Sequence, residues 1–175
     1  MATYEFEGKR PKIDKSAFIF ESADVIGDVT IGAGCYVGPG ARVRGDYGTI
    51  IIGEGTAIED NCVLHARPGE KLTIGKEVTL GHSCVIHNCT IHDGAIIGMG
   101  AVVSDYAVIG ENATIGEGAV VKNKTDIPAR SIAVGVPAKV IGQVSDEYIA
   151  QWKKFKGIYR ELAEKRYPAG LKKVG

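Results

Sequence analysis

An aliphatic residue recurs at nearly every sixth position between about Phe20 and Ile127, and this ladder restricts the possible folds more than any other feature of the chain. Its longest unbroken run is Ile91, Ile97, Val103, Ile109, Ile115, Val121 and Ile127. A period of six matches neither an α-helix nor the simple alternation of a strand, and it is typical of a hexapeptide β-helix. Three hexads close one triangular coil, whose inward side chains stack on the coils above and below.

The ladder is interrupted at four steps, which run from Ile26 to Ile31, Val43 to Ile52, Leu64 to Ile74 and Ile86 to Ile91. The first and last are five residues long, and we expect loops at coil corners to absorb the two longer ones. Removing these offsets places the inward residues in vertical columns. The first column is Val43, Leu64, Ile86, Val103 and Val121. The second column is Val37, Ile58, Leu80, Ile97 and Ile115.

The pattern changes near Ser145, where apolar residues recur at spacings of three and four, as in an amphipathic helix. This stripe is Tyr148, Ile149, Trp152, Phe155, Tyr159 and Leu162. Ser145 is a good N-cap, and Asp146 and Glu147 suit the positive first turn. We therefore predict an all-β solenoid, a parallel β-helix over residues 1–143, followed by a C-terminal α-helix and tail over 144–175.

Charge and hydropathy exclude several kinds of partner. The 21 basic and 21 acidic residues cancel, which indicates neither a nucleic-acid-binding protein nor one that binds anionic membranes. No apolar run approaches the roughly 20 residues of a membrane span. The first residues, MATYEFEGKRPKID, lack the apolar stretch of a signal peptide. A cytoplasmic location is the resulting expectation.

Two histidines follow the first column directly. The residues one position after it are Arg44, His65, His87, Ser104 and Lys122. Arg44, His65 and His87 should therefore stack along one corner on three consecutive coils. Coils repeat at about 4.8 Å, so two stacked imidazoles can share one ion with Zn–N bonds of about 2.0–2.1 Å. The repeat itself has no need of imidazole, and the stacking predicts a metal site.

A third histidine, His82, lies two residues past Leu80 in the second column. The extended residues between His82 and His87 span roughly 16 Å, whereas an imidazole holds a metal only about 6 Å from its own Cα. A single coil edge does not easily bring both to one ion, but a neighbouring subunit does. We therefore expect the site between subunits, with His65 and His87 from one chain and His82 from the next. A triangular prism fits a cyclic homotrimer.

The other histidine and the cysteines have simpler explanations. A lone histidine at an outward corner is usually surface, and we assign His92 to that class. The cysteines Cys35, Cys62, Cys84 and Cys89 all occupy the small inward position of a hexad, where a free thiol acts as a small hydrophobe. No CxxC pair occurs, so neither a zinc knuckle nor a thioredoxin motif is supported.

Three segments resemble the γ-class carbonic anhydrase family: RGDYG at residues 44–48, EDNCVLH ending at His65, and GHSCVIH ending at His87. GMGAVV and GVPAKVI fit the family's hexapeptide and exit segments. The repeat alone is shared with many acyltransferases, but the histidine set together with RGD is far more specific. The resemblance implies a left-handed β-helix with a C-terminal helix, assembled as a trimer. It also implies zinc, or alternatively iron or cobalt, at the subunit interfaces.

The resemblance assigns roles residue by residue. The metal ligands are His65, His82 and His87. An arginine–carboxylate network that holds the interface and borders the site corresponds to Arg44, Asp46 and Asp60. Glu59 stands beside the metal-bound water, where active members usually carry glutamine. A carboxylate there accepts a hydrogen bond but donates one only when protonated.

A second departure is Tyr47, which follows RGD where the archetypal enzyme has a glutamate. It makes the chain resemble the subgroup related to carnitine-metabolism and phenylacetate-degradation proteins, which includes a proposed acyl-CoA thioesterase. The loop after His65, ARPGEK, lacks the acidic proton shuttle of the archetype. Proton export then depends on buffer or Glu70, and we expect modest turnover. A place for Tyr159 in the site rests on the family's habit alone, and a role in the helix stripe is equally consistent.

The leading hypothesis is a carbonic anhydrase-like lyase that interconverts CO₂ and bicarbonate. Three histidines leave zinc one open position, and the pKa of water bound there falls to about 7. Glu59 would orient this water, and Arg44 would attract the anionic product. The alternatives are an acyl-CoA thioesterase that uses the same metal, an acyltransferase that uses one histidine as a base, and a non-catalytic assembly or binding module.

Overall fold

The computed structural model describes residues 2–174, which form a left-handed parallel β-solenoid of about seven turns with a single C-terminal helical segment. The strands that begin the solenoid are β1 (Ala2–Tyr4), β2 (Lys12–Ile13), β3 (Phe18–Ile19), β4 (Asp24–Ile31), β5 (Tyr36–Val37), β6 (Arg42–Ile52) and β7 (Ala57–Ile58). Those of the middle coils are β8 (Val63–His65), β9 (Lys71–Ile74), β10 (Thr79–Leu80), β11 (Val85–His87), β12 (Thr90–Ile91), β13 (Ile96–Ile97) and β14 (Val102–Val103). The last are β15 (Val108–Ile109), β16 (Thr114–Ile115), β17 (Val120–Val121), β18 (Asp126–Ile127), β19 (Ser131–Val134) and β20 (Lys139–Gln143).

The strands stack into three faces in the order that the columns predict. One face is β8, β11, β14 and β17, and the next is β9, β12, β15 and β18; β6 pairs with both β8 and β9. The third face follows the order β20-β19-β16-β13-β10-β7-β5-β3. Its pairs are parallel except β19 with β20. Val43 pairs with Leu64 and Ile58 with Leu80, so the predicted registers of both columns are confirmed.

One predicted interruption is wrong. The inward residue of β4 is Val25, which is fully buried, whereas Ile26 is only half-buried. The step from Val25 to Ile31 is then a regular six residues, and Ile19 extends the ladder backwards at the same spacing. Val25 and Ile26 are both β-branched, and composition alone does not say which of the two faces inward. Pairing of Val25 with Val43 on the next coil decides it.

The two longer interruptions have different structures. Residues 66–70 form a loop between β8 and β9, as predicted. The RGDYG segment instead lies within β6, an extended strand of 11 residues, so a corner loop was the wrong prediction there. Pairing with β4 skips from Gly45 to Ile50, which leaves Asp46, Tyr47 and Gly48 projecting beside the coil.

The core is a single stack of aliphatic and small side chains inside the prism. All four cysteines are buried and free, which confirms their structural interpretation. Burial raises the pKa of Cys35 to about 11 and that of Cys89 to about 12, so these thiols stay protonated at neutral pH. They act as small apolar side chains.

The C-terminal segment begins with α1 (Asp146–Glu161), continues through a π-helical turn (Leu162–Arg166) and ends with α2 (Tyr167–Gly170). Ser145 caps α1 by accepting a hydrogen bond from the main-chain N–H of Tyr148 at 3.1 Å. Burial along α1 is weaker than its stripe predicts, since Phe155 is 45% exposed. The segment docks mainly through Tyr159 and Tyr167, whose rings contact Tyr36. No helix among residues 2–174 has the length and apolarity to cross a membrane.

Candidate metal centre

Strands β8 and β11 hold two histidines side by side on one edge of the prism. His65 ends β8, His87 ends β11, and their Cα atoms are paired in the parallel register. Arg44 of β6 pairs with His65 on the coil before, so the predicted column of Arg44, His65 and His87 is confirmed. The inward neighbours Leu64 and Ile86 are fully buried, and their packing fixes the backbone from which both imidazoles project.

The two rings face one another through nitrogen atoms. His65 Nδ1 and His87 Nε2 lie 3.1 Å apart, and the ring centroids are separated by 5.2 Å. The His65 side chain is only 16% exposed and that of His87 is 36% exposed.

Asp46 holds the outer nitrogen of His65. Its Oδ1 lies 3.0 Å from His65 Nε2, and its Oδ2 accepts a hydrogen bond from Arg44 Nη1. Burial by itself would raise the pKa of Asp46, but the hydrogen bonds from Arg44 and His65 outweigh it and lower that pKa. The carboxylate stays ionised and accepts a hydrogen bond from His65 Nε2.

Asp105 holds the outer nitrogen of His87 in the same way. Its Oδ1 accepts from His87 Nδ1, and its Oδ2 accepts from Arg67 Nη1 at 2.9 Å. Neither Asp105 nor Arg67 was identified from the sequence. The column points instead to Ser104, which follows Val103 as His87 follows Ile86 on the coil before, and Asp105 is the next residue along the chain.

The two carboxylates match one particular tautomer of each ring. In a neutral imidazole one nitrogen carries the proton and the other carries a lone pair. Asp46 and Asp105 each accept from an outer nitrogen, so the lone pairs of His65 Nδ1 and His87 Nε2 are directed at each other. Two facing lone pairs without a cation between them repel, and a shared proton or a metal ion relieves that repulsion.

His82 lies on a different edge, after β10. Its Nε2 is 3.1 Å from Glu59 Oε2, and its Nδ1 accepts from the main-chain N–H of Asp60 at 3.2 Å. The Asp60 carboxylate is 3.7 Å from the same Nδ1. Glu59 is 6% exposed and also accepts from the main-chain N–H of His82. The location of Asp60 beneath His82 agrees with the predicted columns.

The predicted site residues thus form two groups within one chain. His65, His87, Arg44 and Asp46 share one edge, and His82, Glu59 and Asp60 share another. Within residues 2–174 no three histidine, cysteine, aspartate or glutamate side chains converge as a metal site. A metal bound by all three histidines therefore needs ligands from two chains.

The RGDYG projection packs on the loop at residues 66–70. A Cβ atom on Gly48 would lie 2.4 Å from the main-chain oxygen of Arg67, so glycine is required for this approach. Tyr47 is 58% exposed, with its ring 6.3 Å from that of His65. Glu70 accepts hydrogen bonds from Asn88 and from the hydroxyl of Tyr106, and these bonds hold the carboxylate in place.

The C-terminal helix reaches the second group through Tyr159. Burial and then the nearby carboxylate of Glu59 raise the pKa of Tyr159 above its ordinary value. The phenol therefore stays protonated beside Glu59. Tyr159 also packs against Tyr36, with ring centroids 5.3 Å apart. It serves the helix stripe and the His82 edge together.

The fold defines the chain as a hexapeptide-repeat β-helix protein. The family model described as the GMPPB C-terminal domain matches residues 46–154. The carnitine operon protein CaiE of Salmonella newport is 38% identical over 164 residues, covering 93% of this chain and 82% of that protein. The chain belongs to the hexapeptide-repeat family that these matches define.

Two solved structures are similar over almost their whole length. A Bacillus cereus protein described as a candidate acetyltransferase has a TM-score of 0.90 and 36% identity, covering 93% of this chain and 95% of that chain. A hexapeptide transferase family protein from Anaplasma phagocytophilum has a TM-score of 0.89 and 36% identity, covering 93% and 96%. The narrower resemblance to γ-class carbonic anhydrases stays a prediction.

Proposed function

We propose that this protein is an enzyme whose active site is a metal centre between subunits, with His65 and His87 from one chain and His82 from the next. The observation that carries the proposal is the pair of imidazole nitrogens 3.1 Å apart. Their lone pairs are directed at one point by Asp46 and Asp105. The reaction we propose is the interconversion of CO₂ and water with bicarbonate and a proton.

The donor set fits zinc, with iron or cobalt as alternatives. Two ligands of a tetrahedral ion with bonds of about 2.0–2.1 Å lie about 3.3 Å apart, close to the separation of His65 Nδ1 and His87 Nε2. Imidazole suits zinc and iron alike. A carboxylate on the outer nitrogen of a ligand histidine is the usual support for such a site. His65 and His87 both have that support.

Zinc held by His65, His82 and His87 would supply a Lewis acid for activating water. The chain's residues orient the reactants around it. Glu59 accepts a hydrogen bond from the main-chain N–H of His82, and its carboxylate lies 3.1 Å from His82 Nε2. Arg44, whose side chain is 45% exposed, supplies a cation that attracts bicarbonate.

His82 binds a metal through Nε2 only if its proton moves to Nδ1. Its present partners favour the opposite tautomer, with the proton on Nε2 directed at Glu59. The Asp60 carboxylate at 3.7 Å is the acceptor that stabilises a proton on Nδ1. Asp60 is therefore proposed to support His82 as Asp46 supports His65.

The assembly we propose is a cyclic homotrimer with three equivalent sites. The two histidine groups lie on different edges of one prism. Each subunit places one of these edges against the other edge of its neighbour, and for a prism of triangular section such contacts form a closed ring of three subunits. Each chain then contributes to two sites.

Acyl transfer is the second candidate, and the names of the similar solved structures favour it over CO₂ hydration. The similar structures are described as an acetyltransferase and a hexapeptide transferase. The His82–Glu59 pair at 3.1 Å is the observation that favours it within this chain, because a histidine held by a carboxylate is a common general base. In that case His82 acts alone, without His65 or His87.

One set of assays separates the two candidates. Protein purified under reducing conditions is analysed for metal, loaded with zinc, iron or cobalt, and assayed for CO₂ hydration and for acetyl-CoA hydrolysis and transfer. We expect CO₂ hydration that chelation removes and metal restores. His65→Ala abolishes it, and His92→Ala, at an exposed histidine, does not. Acyl transfer that survives chelation and His65→Ala, without CO₂ hydration, would establish the second candidate instead.

A further inference from the structure

The contacts around His65 and His87 form a chain of six side chains with mirrored chemistry. From one end to the other it reads Arg44, Asp46, His65, His87, Asp105 and Arg67. In each half the aspartate uses Oδ2 for its arginine and Oδ1 for its histidine. The family resemblance assigns Arg44, Asp46 and both histidines, but neither Asp105 nor Arg67.

We infer that Asp105, held by Arg67, is the positioning residue that fixes the ring orientation and tautomer of His87. This inference rests on the proposed metal centre. It extends that centre by a second aspartate–arginine pair, outside the residues that the resemblance assigns. Asp105 does not contact the metal position itself, because it lies on the far side of the imidazole.

The burial of Asp105 separates this role from an ordinary surface ion pair. Its side chain is 15% exposed, equal to Asp46, although Arg67 is 47% exposed. An exposed arginine–aspartate pair contributes little to stability and does not explain why the carboxylate turns toward His87. The Asp105 carboxylate accepts a hydrogen bond from His87 Nδ1, the nitrogen that faces away from His65. This bond directs the lone pair of His87 Nε2 at His65.

Three successive coils supply this half of the chain. Arg67 follows β8, His87 ends β11, and Asp105 follows β14. The coils lie about 4.8 Å apart, so side chains at this corner of neighbouring coils come within hydrogen-bond distance. The stacking of the coils brings these three residues together, without a long loop that folds over the site.

Asp105→Asn tests the inference because it keeps the shape and changes the chemistry. The amide nitrogen of asparagine donates to His87 Nδ1, which moves the ring proton to Nε2 and removes the lone pair that faces His65. Loss of an outer hydrogen-bond partner of this kind typically lowers metal affinity by about 10- to 100-fold. We expect a loss in that range, measured by competition with a zinc chelator.

The decisive readout does not need the metal. Proton–nitrogen NMR spectra of metal-free protein labelled at histidine show which ring nitrogen of His87 carries the proton. We expect Nδ1–H in the wild type and Nε2–H in Asp105→Asn, with His65 unchanged in both. Asp126→Asn, at an exposed aspartate, is the matched control and should change neither the tautomer nor the affinity.

The outcomes separate this inference from the proposed function. Absence of metal binding by the wild type contradicts the proposed function, while the His87 tautomer still tests Asp105. An unchanged tautomer, or an affinity within about twofold of the wild type, overturns the inference. If Asp105→Asn fails to fold, Arg67→Gln removes the group that orients Asp105 and should give a smaller loss of affinity. An unchanged affinity in that folded variant also overturns the inference.

Discussion

His65 Nδ1 and His87 Nε2 lie 3.1 Å apart although the residues are separated by 22 positions in sequence. The separation is one coil of the solenoid plus the inserted loop at residues 66–70. Because the strands on either side of that loop keep their register, the insertion leaves the two imidazoles stacked. The site therefore depends on the regular register of the coils. Substitutions at the histidines and in the buried columns should affect different properties, namely metal binding and stability.

Substitution of either stacked histidine should remove the metal. His65→Ala and His87→Ala each delete one of three proposed ligands, and we expect affinity for zinc to fall by at least about 100-fold. Equilibrium dialysis with metal analysis measures this. His92→Ala changes an exposed histidine on another corner and should bind like the wild type. Full zinc binding by His87→Ala would contradict the proposed centre.

Mixed assemblies should recover what single variants lose. His65→Ala and His82→Ala chains are co-expressed. In a mixed trimer, some interfaces join the intact His82 of a His65→Ala chain to the intact His65 and His87 of a His82→Ala chain. Random assembly restores about one quarter of the sites in a cyclic trimer. Metal content of the purified mixture is the measurement. Mixing His65→Ala with His87→Ala should restore nothing, since both lie on the same edge, and equal recovery there would exclude a shared interface.

Truncation within the second column should destabilise the fold. Leu80 is fully buried and stacks between Ile58 and Ile97, so Leu80→Ala leaves a cavity inside the prism. We expect the free energy of unfolding to fall by about 2–5 kcal/mol in urea denaturation. Ile141→Ala, at a residue that is 66% exposed, should change it by less than about 0.5 kcal/mol. Equal effects of both substitutions would mean that the column does not carry the stability.

Stability should also depend on pH through Lys156. Its Nζ donates to the main-chain oxygen of Gly94 at 2.5 Å, and burial, partly opposed by Glu77, lowers its pKa from 10.5 to about 8. Between those values the unfolded chain binds more protons than the folded one, so stability rises with pH. Below about pH 8 both states bind the proton and this gain is absent.

Comparison with Lys156→Met isolates that effect. The methionine variant keeps the side-chain volume and lacks the titrating amine. From about pH 8 to about pH 10 the wild type should gain stability relative to Lys156→Met by on the order of 1 kcal/mol. Urea denaturation of both proteins at the two pH values measures the difference. A difference that stays constant with pH would show that Lys156 titrates normally.

Much of the site followed from counting residues along the ladder. The columns predicted that Arg44, His65 and His87 stack and that Asp60 lies beside His82, and both placements are found. The wrong choice of Ile26 over Val25 arose because adjacent β-branched residues carry the same local signal. Asp105 was overlooked because the column places Ser104 one coil onward from His87, and Asp105 lies one residue outside that column.

The sequence by itself determined the solenoid, its columns and the division of the histidines into a pair and a single residue, because a period of six fixes which side chains point inward and which coils they share. Only the tertiary structure decided which atoms face each other. The outer nitrogens of His65 and His87 are held by carboxylates from other coils, and hydrogen bonds between coils depend on rotamers and distances that no spacing along the chain specifies.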